Sequence, residues 1–149
     1  MTDYTILLVE DNPNDRELTL WALRKWRIAN EIVVVRDGVE ALEYLFATGA
    51  YADRNPALLP QLVLLDLRMP RVGGLEVLQQ LRARASTQHL PVIVFTASTE
   101  EWDMLQSYHL GVIGYVTKPL EAAEFIAAVQ QLGLSWLLLN QVPAEGASA

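Results

Sequence analysis

The chain has 149 residues, 52% of them hydrophobic and 19% charged, which predicts one folded domain with a sizeable core and argues against intrinsic disorder. The formal net charge of -7 and the scattered Lys and Arg residues argue against a nucleic-acid partner, because binding to phosphates needs a basic patch. The absence of cysteine excludes disulfides, thiolate catalysis and zinc–thiolate sites.

The N-terminus shows no basic leader, and no apolar run approaches the roughly 18 residues that a membrane-spanning helix needs. The lack of cysteine is compatible with a reducing compartment. We therefore expect a soluble cytoplasmic protein that makes no membrane contact.

Short apolar runs rich in Val, Ile and Leu recur along the chain and predict strands. They do not alternate polar with apolar residues, as expected for strands that are covered on both faces. There are five of them, at 5–11, 31–38, 61–67, 91–98 and 111–119.

Segments with helical spacing separate these runs. The first helix begins with a capping Asn and a Pro at 12–13, and the stretch 74–84 places Leu75, Leu78 and Leu81 on one stripe. A late helix repeats apolar residues at Phe125, Val129 and Leu132. On these helices we predict packing roles for three tryptophans, Trp21, Trp26 and Trp102.

Five alternations of strand and helix predict an α/β fold, a flavodoxin-like doubly wound parallel sheet with strand order 2-1-3-4-5 and five helices. In that order the first and third strands are neighbours, and ligands bind beyond the carboxyl ends of the strands. The segment 48–60 is longer than most connections, and we predict a surface loop there that contacts a partner. Residues 142–149 have the composition of a mobile tail.

Polar residues end four of the five predicted strands. Glu10 and Asp11 end the first, Asp66 the third, Thr96 the fourth and Lys118 the fifth. Because the carboxyl ends of parallel strands meet at one edge of the sheet, these side chains should converge on one crevice.

Three carboxylates in one pocket disfavour each other's ionisation, and a divalent cation relieves the repulsion. Oxygen ligands without His or Cys favour Mg²⁺, or Mn²⁺ in its place. Asp66, at the end of the central strand, is placed for in-line attack on phosphorus. Lys118 then pairs with a phosphoryl oxygen and the Thr96 hydroxyl donates to another.

Simpler interpretations exist for each residue alone. Glu10 and Asp11 would serve as helix caps, although Asn12 and Asn14 are already available for that task. Asp66 alone is an ordinary loop residue, Thr96 an ordinary strand residue, and Tyr115 a core residue. The two histidines, His89 and His109, have no partner at metal-ligand spacing and are interpreted as surface or loop residues.

The motifs "LLVEDN", "LVLLDLRMP", "VIVFTAS" and "GYVTKP" resemble those of bacterial response-regulator receiver domains, in order and spacing, over about residues 4–133. The resemblance implies that Asp66 is the phosphoacceptor. It also implies that Asp11 and Asp66 bind Mg²⁺ directly, that Glu10 acts through water, and that the backbone carbonyl of Arg68 completes the protein's ligands.

The resemblance further implies a switch pair, Thr96 and Tyr115, and a lysine, Lys118, that is joined to Pro119 by a cis bond. Ala97, small beside the threonine, matches the family's need for phosphate access.

Two positions depart from the usual pattern. Glu10 replaces the more common Asp and changes the reach of the carboxylate. Arg68, two residues past the phosphoacceptor, occupies a position that tunes phosphoryl lifetime in this family. Its guanidinium either holds the phosphoryl group or blocks the hydrolytic water, and both alternatives are open.

We therefore expect a stand-alone response regulator that takes a phosphoryl group from a histidine kinase and catalyses only its own phosphorylation and dephosphorylation. The receiver should span 1–133, and 134–149 should form a helix extension and tail too short for an output domain. The loop at 48–60 and the tail resemble short regulators that partner phytochrome kinases.

Other functions remain as alternatives. The protein could be a phosphorelay intermediate, a phosphate sink for another kinase, or a pseudo-receiver that only binds partners. A haloacid-dehalogenase-type phosphatase also uses an Asp nucleophile and Mg²⁺, but it needs a second Asp where Arg68 stands.

The region 125–139 carries apolar residues in nearly every direction around a helix near its end. A single sheet face buries one stripe of a helix, so the rest would be an exposed apolar patch. We expect a homodimer through the fourth helix, fifth strand, fifth helix and C-terminal extension. The alternative is that the tail folds back over its own subunit.

Overall fold

Five parallel strands form one sheet in the computed structural model of the chain, which describes residues 5–25, 31–69, 72–96, 99–112 and 114–118 and the single positions 123 and 127. They pair in the order β2-β1-β3-β4-β5. This order confirms the predicted flavodoxin-like topology. The strands are β1 (Thr5–Val9), β2 (Glu31–Val35), β3 (Leu62–Asp66), β4 (Val92–Thr96) and β5 (Gly114–Thr117).

Helices connect the strands, as the alternating pattern predicts. In the described residues they are α1 (Pro13–Lys25), α2 (Gly38–Phe46), α3 (Gly74–Ala83) and α4 (Thr99–Gln106). The predicted fifth helix, including Phe125, Val129 and Leu132, and the tail at 142–149 lie outside the described residues. None of the described helices is long and apolar enough to cross a lipid bilayer.

The core lies on both faces of the sheet, because successive strand side chains point in opposite directions. The central strands β1, β3 and β4 are buried at every position, whereas the edge strands β2 and β5 are partly covered. Leu7 and Leu65 pack on the side of α2, α3 and α4, and Leu8 with Leu64 packs on the side of α1. The apolar runs are therefore covered on two faces, as predicted.

Helix α3 shows the predicted stripe. Leu78 and Leu81 are fully buried, and Leu75 is partly buried against the same cluster. Trp102 on α4 also packs partly buried against this cluster, as predicted. Gly74 begins α3 so close to β3 that a Cβ there would lie 2.6 Å from the Asp66 carbonyl oxygen.

The predicted packing role of Trp21 is wrong. Its side chain is 58% exposed on α1, and Leu18, one turn earlier, is 51% exposed. Helical spacing alone made the tryptophan a core candidate, but Ala22 and Leu23 are the residues of this turn that face the sheet. Trp26 lies outside the described residues.

The connection between α2 and β3 is a surface loop with one short 3₁₀ turn at Gly49–Tyr51, as predicted for 48–60. The Tyr51 hydroxyl donates a 2.6 Å hydrogen bond to Glu40, and the Arg54 guanidinium lies 3.8 Å from the centroid of the Tyr44 ring. These contacts hold the loop against α2. Its contact with a partner stays a prediction.

The two histidines lie on the surface, as predicted. His89 is exposed in the turn region after α3, and His109 is exposed after α4 with a φ of 53°.

The polar residues predicted to end the strands lie at the last strand position or just after it. Asp66 and Thr96 are the last residues of β3 and β4, whereas Glu10, Asp11 and Lys118 follow β1 and β5. Asp66 is level with Phe95 and Thr96 with Thr117 in the sheet register. The strand ends therefore lie side by side at one edge.

Candidate functional site

Lys118 lies at the centre of the polar cluster at this edge. Its backbone N–H donates to the Thr96 carbonyl at 3.0 Å, which continues the sheet ladder past β5. Its Nζ lies 2.9 Å from Glu10 Oε1, 3.1 Å from Asp66 Oδ2 and 3.2 Å from Asp15 Oδ2. One ammonium group therefore faces three carboxylates from three different segments of the chain.

Glu10 is held rigidly although it lies in a connection. Its side chain is fully buried, its N–H donates to the Val35 carbonyl at 3.1 Å, and its Oε2 accepts from the Asn12 N–H at 3.1 Å. The Asn12 side chain in turn accepts from the N–H of Asp15 at 3.0 Å. Asn12 is thus the cap of α1, as predicted. The other predicted cap, Asn14, lies inside the helix, which begins at Pro13. Glu10 is therefore available for the cluster.

Asp66 has a defined environment for each carboxylate oxygen. Oδ1 accepts a 3.2 Å hydrogen bond from the Arg68 N–H, and Oδ2 faces Lys118. The residue is 3% exposed. Its orientation is therefore fixed by backbone and by charge before any ligand binds.

Burial and mutual repulsion change the protonation of this cluster. Burial raises the pKa of Glu10 to about 7, the charge of Asp66 raises it too, and the hydrogen bond from Lys118 opposes the rise. Burial likewise raises the pKa of Asp66, against the charge of Lys118. Burial alone would lower the pKa of Lys118, but Glu10 and Asp66 raise it overall, so the lysine remains an ammonium ion.

The cluster fits a hard divalent cation. Glu10, Asp11 and Asp66 each offer a carboxylate oxygen, and these oxygens lie within 4.8 Å of one another. They lie beside a cleft of about 290 Å³ whose lining carries five carboxylates and two cationic side chains, a formal charge of -3. A divalent cation with oxygen ligands would offset this surplus. The lining residues are Glu10, Asp11, Asn12, Asp15, Asp66, Arg68, Glu101 and Lys118.

Thr96 is buried at the end of β4, where its hydroxyl donates a 2.6 Å hydrogen bond to Glu101 Oε1 on α4. The other oxygen of Glu101 forms an ion pair with the Arg68 guanidinium. Arg68 and Thr96, two of the residues identified from the sequence, therefore meet on one carboxylate that the sequence did not single out.

Tyr115, on β5, is not among the residues that line the cleft. Its ring packs on Trp102 of α4, with ring centroids 4.8 Å apart and an interplanar angle of 31°. The predicted switch pair thus contacts two consecutive residues of α4, Glu101 and Trp102. Ala97 and Pro119 lie outside the described residues.

Two site residues escaped the sequence reasoning, which considered the ends of strands. Asp15 lies on the first turn of α1, and the available signal was an acidic residue in the first turn of the helix that follows the first strand. Glu101 lies in the acidic first turn of α4, but its pairing with Arg68 joins positions 33 residues apart. No local pattern indicates such a contact.

Comparison with known proteins agrees with this geometry. The family model described as the response regulator receiver domain matches residues 6–130. The curated response regulator Rcp1 of Synechocystis sp. is 36% identical over 139 residues, which cover 93% of this chain and 92% of Rcp1.

Solved structures show the same similarity. The bacteriophytochrome response regulator AtBRR is 54% identical with a TM-score of 0.85, over 93% of this chain and 98% of that one. The Mn²⁺-bound form of Rcp1 is 35% identical with a TM-score of 0.70, over 95% and 99% of the two chains. The phosphorylated cyanobacterial phytochrome response regulator RcpA is 36% identical with a TM-score of 0.71, also over 95% and 99%.

Proposed function

This chain belongs to the family of response regulator receiver domains, and from that premise we propose that it is a switch controlled by phosphorylation of Asp66. The observation that carries the proposal is the ammonium group of Lys118, shared between Asp66 and Glu10 at 3.1 and 2.9 Å beside an acidic cleft. The phosphoryl donor is a histidine kinase, and the protein is not an enzyme acting on other substrates.

Each residue of the proposed site has a separate role in phosphoryl transfer. A carboxylate oxygen of Asp66 forms the new P–O bond while the P–N bond to the kinase histidine breaks, and the released imidazole takes up a proton. Lys118, which pairs with Asp66 in the free protein, then pairs with a phosphoryl oxygen. Thr96 and Tyr115 form the switch pair that responds to the new charge.

Asp11 and Asp66 would hold Mg²⁺ directly, Glu10 would act through water, and the Arg68 backbone carbonyl would complete the ligands from the protein. The compact oxygen cluster supports a divalent cation, and Mn²⁺ occurs in the related structure of Rcp1. When bound, Mg²⁺ offsets the charge of the carboxylates and of the incoming phosphoryl oxygens.

The similarity to AtBRR and Rcp1 supports a bacteriophytochrome pathway. We propose that a phytochrome-type histidine kinase is the phosphoryl donor and that the output is contact with another protein in the cytoplasm, without nucleic acid or membrane. The receiver would occupy residues 1–133, and 134–149 would form the C-terminal extension and tail.

The proposed assembly is a homodimer through α4, β5, the fifth helix and its extension. On α4, Met104 is 51% exposed and Tyr108, just after the helix, is 46% exposed, which gives this face apolar contact area. Light scattering should give a dimer for the wild type and a monomer for Trp136→Glu combined with Leu138→Glu. A monomeric wild type at micromolar concentration would contradict the proposal.

Phosphotransfer profiling tests the proposed function. Autophosphorylated histidine kinases of the source organism, including those with phytochrome modules, are mixed with the wild type or with Asp66→Asn in Mg²⁺. We expect fastest transfer from a phytochrome-type kinase and none to the variant. Transfer to Asp66→Asn at the wild-type rate would overturn the assignment, and faster transfer from an unrelated kinase would overturn the pathway.

A further inference from the structure

We infer that Glu101 is a built-in competitor of the phosphoryl group: its carboxylate holds the Thr96 hydroxyl and the Arg68 guanidinium until Asp66 is phosphorylated. We call the contact among Arg68, Thr96 and Glu101 the Glu101 clasp. The inference rests on the proposed function, because it assumes that a phosphoryl group arrives at Asp66.

The clasp uses both oxygens of one carboxylate. Oε1 accepts from the Thr96 hydroxyl at 2.6 Å, and Oε2 pairs with Arg68. The Glu101 side chain is only 17% exposed and lines the same cleft as Asp66 and Lys118. The carboxylate therefore lies where an anionic group on Asp66 would meet it.

A hydroxyl has one proton to donate. Thr96 can donate to Glu101 or to a phosphoryl oxygen, so its hydrogen bond to Glu101 must break before the phosphoryl group gains that donor. The charge of Glu101 also repels a phosphoryl dianion in the same cleft. Both effects oppose the phosphorylated state.

The two halves of the clasp differ in strength. The Arg68 side chain is 79% exposed, and ion pairs with so exposed a partner contribute little. Thr96 is 1% exposed, so its hydrogen bond to a carboxylate is the stronger restraint. Removing the acceptor of Thr96 should therefore favour the phosphorylated state more than removing the charge that faces Arg68 does.

The clasp also connects the cleft to the outer surface. Glu101 and Trp102 are consecutive on α4, and Trp102 packs on Tyr115. When the Thr96 hydroxyl stops donating to Glu101, the first turn of α4, which carries Trp102 against Tyr115, loses one of its contacts with the cleft. Glu101 thus acts as a positioning residue that sets how strongly phosphorylation and α4 are coupled.

The test measures affinity for the beryllium fluoride anion, a stand-in for the phosphoryl group, in the presence of MgCl₂, by fluorine NMR titration of the full chain. Glu101→Ala removes both acceptors and should bind about tenfold more tightly than the wild type. Glu101→Gln keeps an oxygen for Thr96 and loses only the charge, so it should bind about threefold more tightly.

The matched control is Glu100→Ala, because Glu100 and Glu101 both lie in the acidic first turn of α4 and Glu100 is exposed. Its affinity should equal that of the wild type. An equal gain in Glu100→Ala would show a general effect of helix charge and overturn the clasp. Thermal unfolding of each variant verifies that the domain is folded.

The outcomes separate the clasp from the proposed function. If the wild type binds beryllium fluoride and Glu101→Ala binds no more tightly, the clasp is overturned and the phosphoacceptor assignment stands. If the wild type and every variant fail to bind, the phosphoacceptor assignment and the clasp are both overturned.

Discussion

Replacing Glu10 with Gln should stabilise the metal-free protein at alkaline pH. Glu10 is fully buried, and burial together with Asp66 raises its pKa from the ordinary 4.5 to about 7 despite Lys118. Gln has nearly the same shape as a protonated Glu and never ionises. The variant therefore removes the cost of a buried charge that the wild type carries above pH 7.

The sign follows from proton binding. Between pH 4.5 and about 7 the folded protein holds a proton on Glu10 that the unfolded chain has lost, so the free energy of unfolding falls as pH rises through this window. At 1.36 kcal/mol for each pH unit, the difference between 4.5 and about 7 amounts to at most about 3 kcal/mol. Asp66 contributes in the same direction, because its pKa is raised too.

Urea unfolding in EDTA at pH 5, 6, 7 and 8 measures this effect. Glu10→Gln and the wild type should have similar free energies of unfolding near pH 5, and the variant should gain up to about 3 kcal/mol by pH 8. A difference between the two proteins that does not change with pH, or a variant that is less stable at pH 8, would refute the reasoning.

Three further substitutions test other contacts. Asp11→Asn should weaken Mg²⁺ binding about tenfold or more by calorimetry, and an unchanged affinity would remove Asp11 from the metal ligands. Because Trp102 packs on Tyr115, we expect beryllium fluoride to change the tryptophan fluorescence of the wild type. Lys118→Met should leave Mg²⁺ binding largely intact yet abolish that change, and a change equal to the wild type's would remove the lysine from the switch. Arg82 donates to carbonyls before β4 and β5 at 2.7 to 3.2 Å, so Arg82→Met should cost about 2–4 kcal/mol in urea unfolding. The control Arg24→Met, at an exposed position on α1, should cost under about 0.5 kcal/mol, and an equal loss in both variants would contradict the assigned role.

The sequence predicted the sheet well because parallel strands need apolar residues on both faces. The runs around Leu7, Leu64 and Ile93 have this property, and all three residues are fully buried. The convergence of polar residues followed from the topology, since strand ends in a parallel sheet share one edge. The runs taken as strands extended one to three residues past the strand ends, because they included polar and turn residues that directly follow the strands, such as Glu10, Asp11 and Lys118.

The contacts that helices make could not be predicted from strand patterns and sheet topology. Trp21 was expected to pack, yet α1 turns it outward, because helical spacing marks a face without saying which face meets the sheet. Glu101 was missed because its contacts with Thr96 and Arg68 form only where α4 packs close to both residues. Pairings of this kind depend on how a helix docks, which local sequence does not specify.

Location of the phosphoryl group within the chain tests the central claim most directly. The wild type is phosphorylated with acetyl phosphate in Mg²⁺, the acyl phosphate is reduced with borohydride, and peptide mass spectrometry locates the converted residue. The account predicts conversion of Asp66 alone, since it faces Lys118 at the end of the central strand. Conversion at Asp11 or Glu10 instead, or no Mg²⁺-dependent conversion at all, would contradict it.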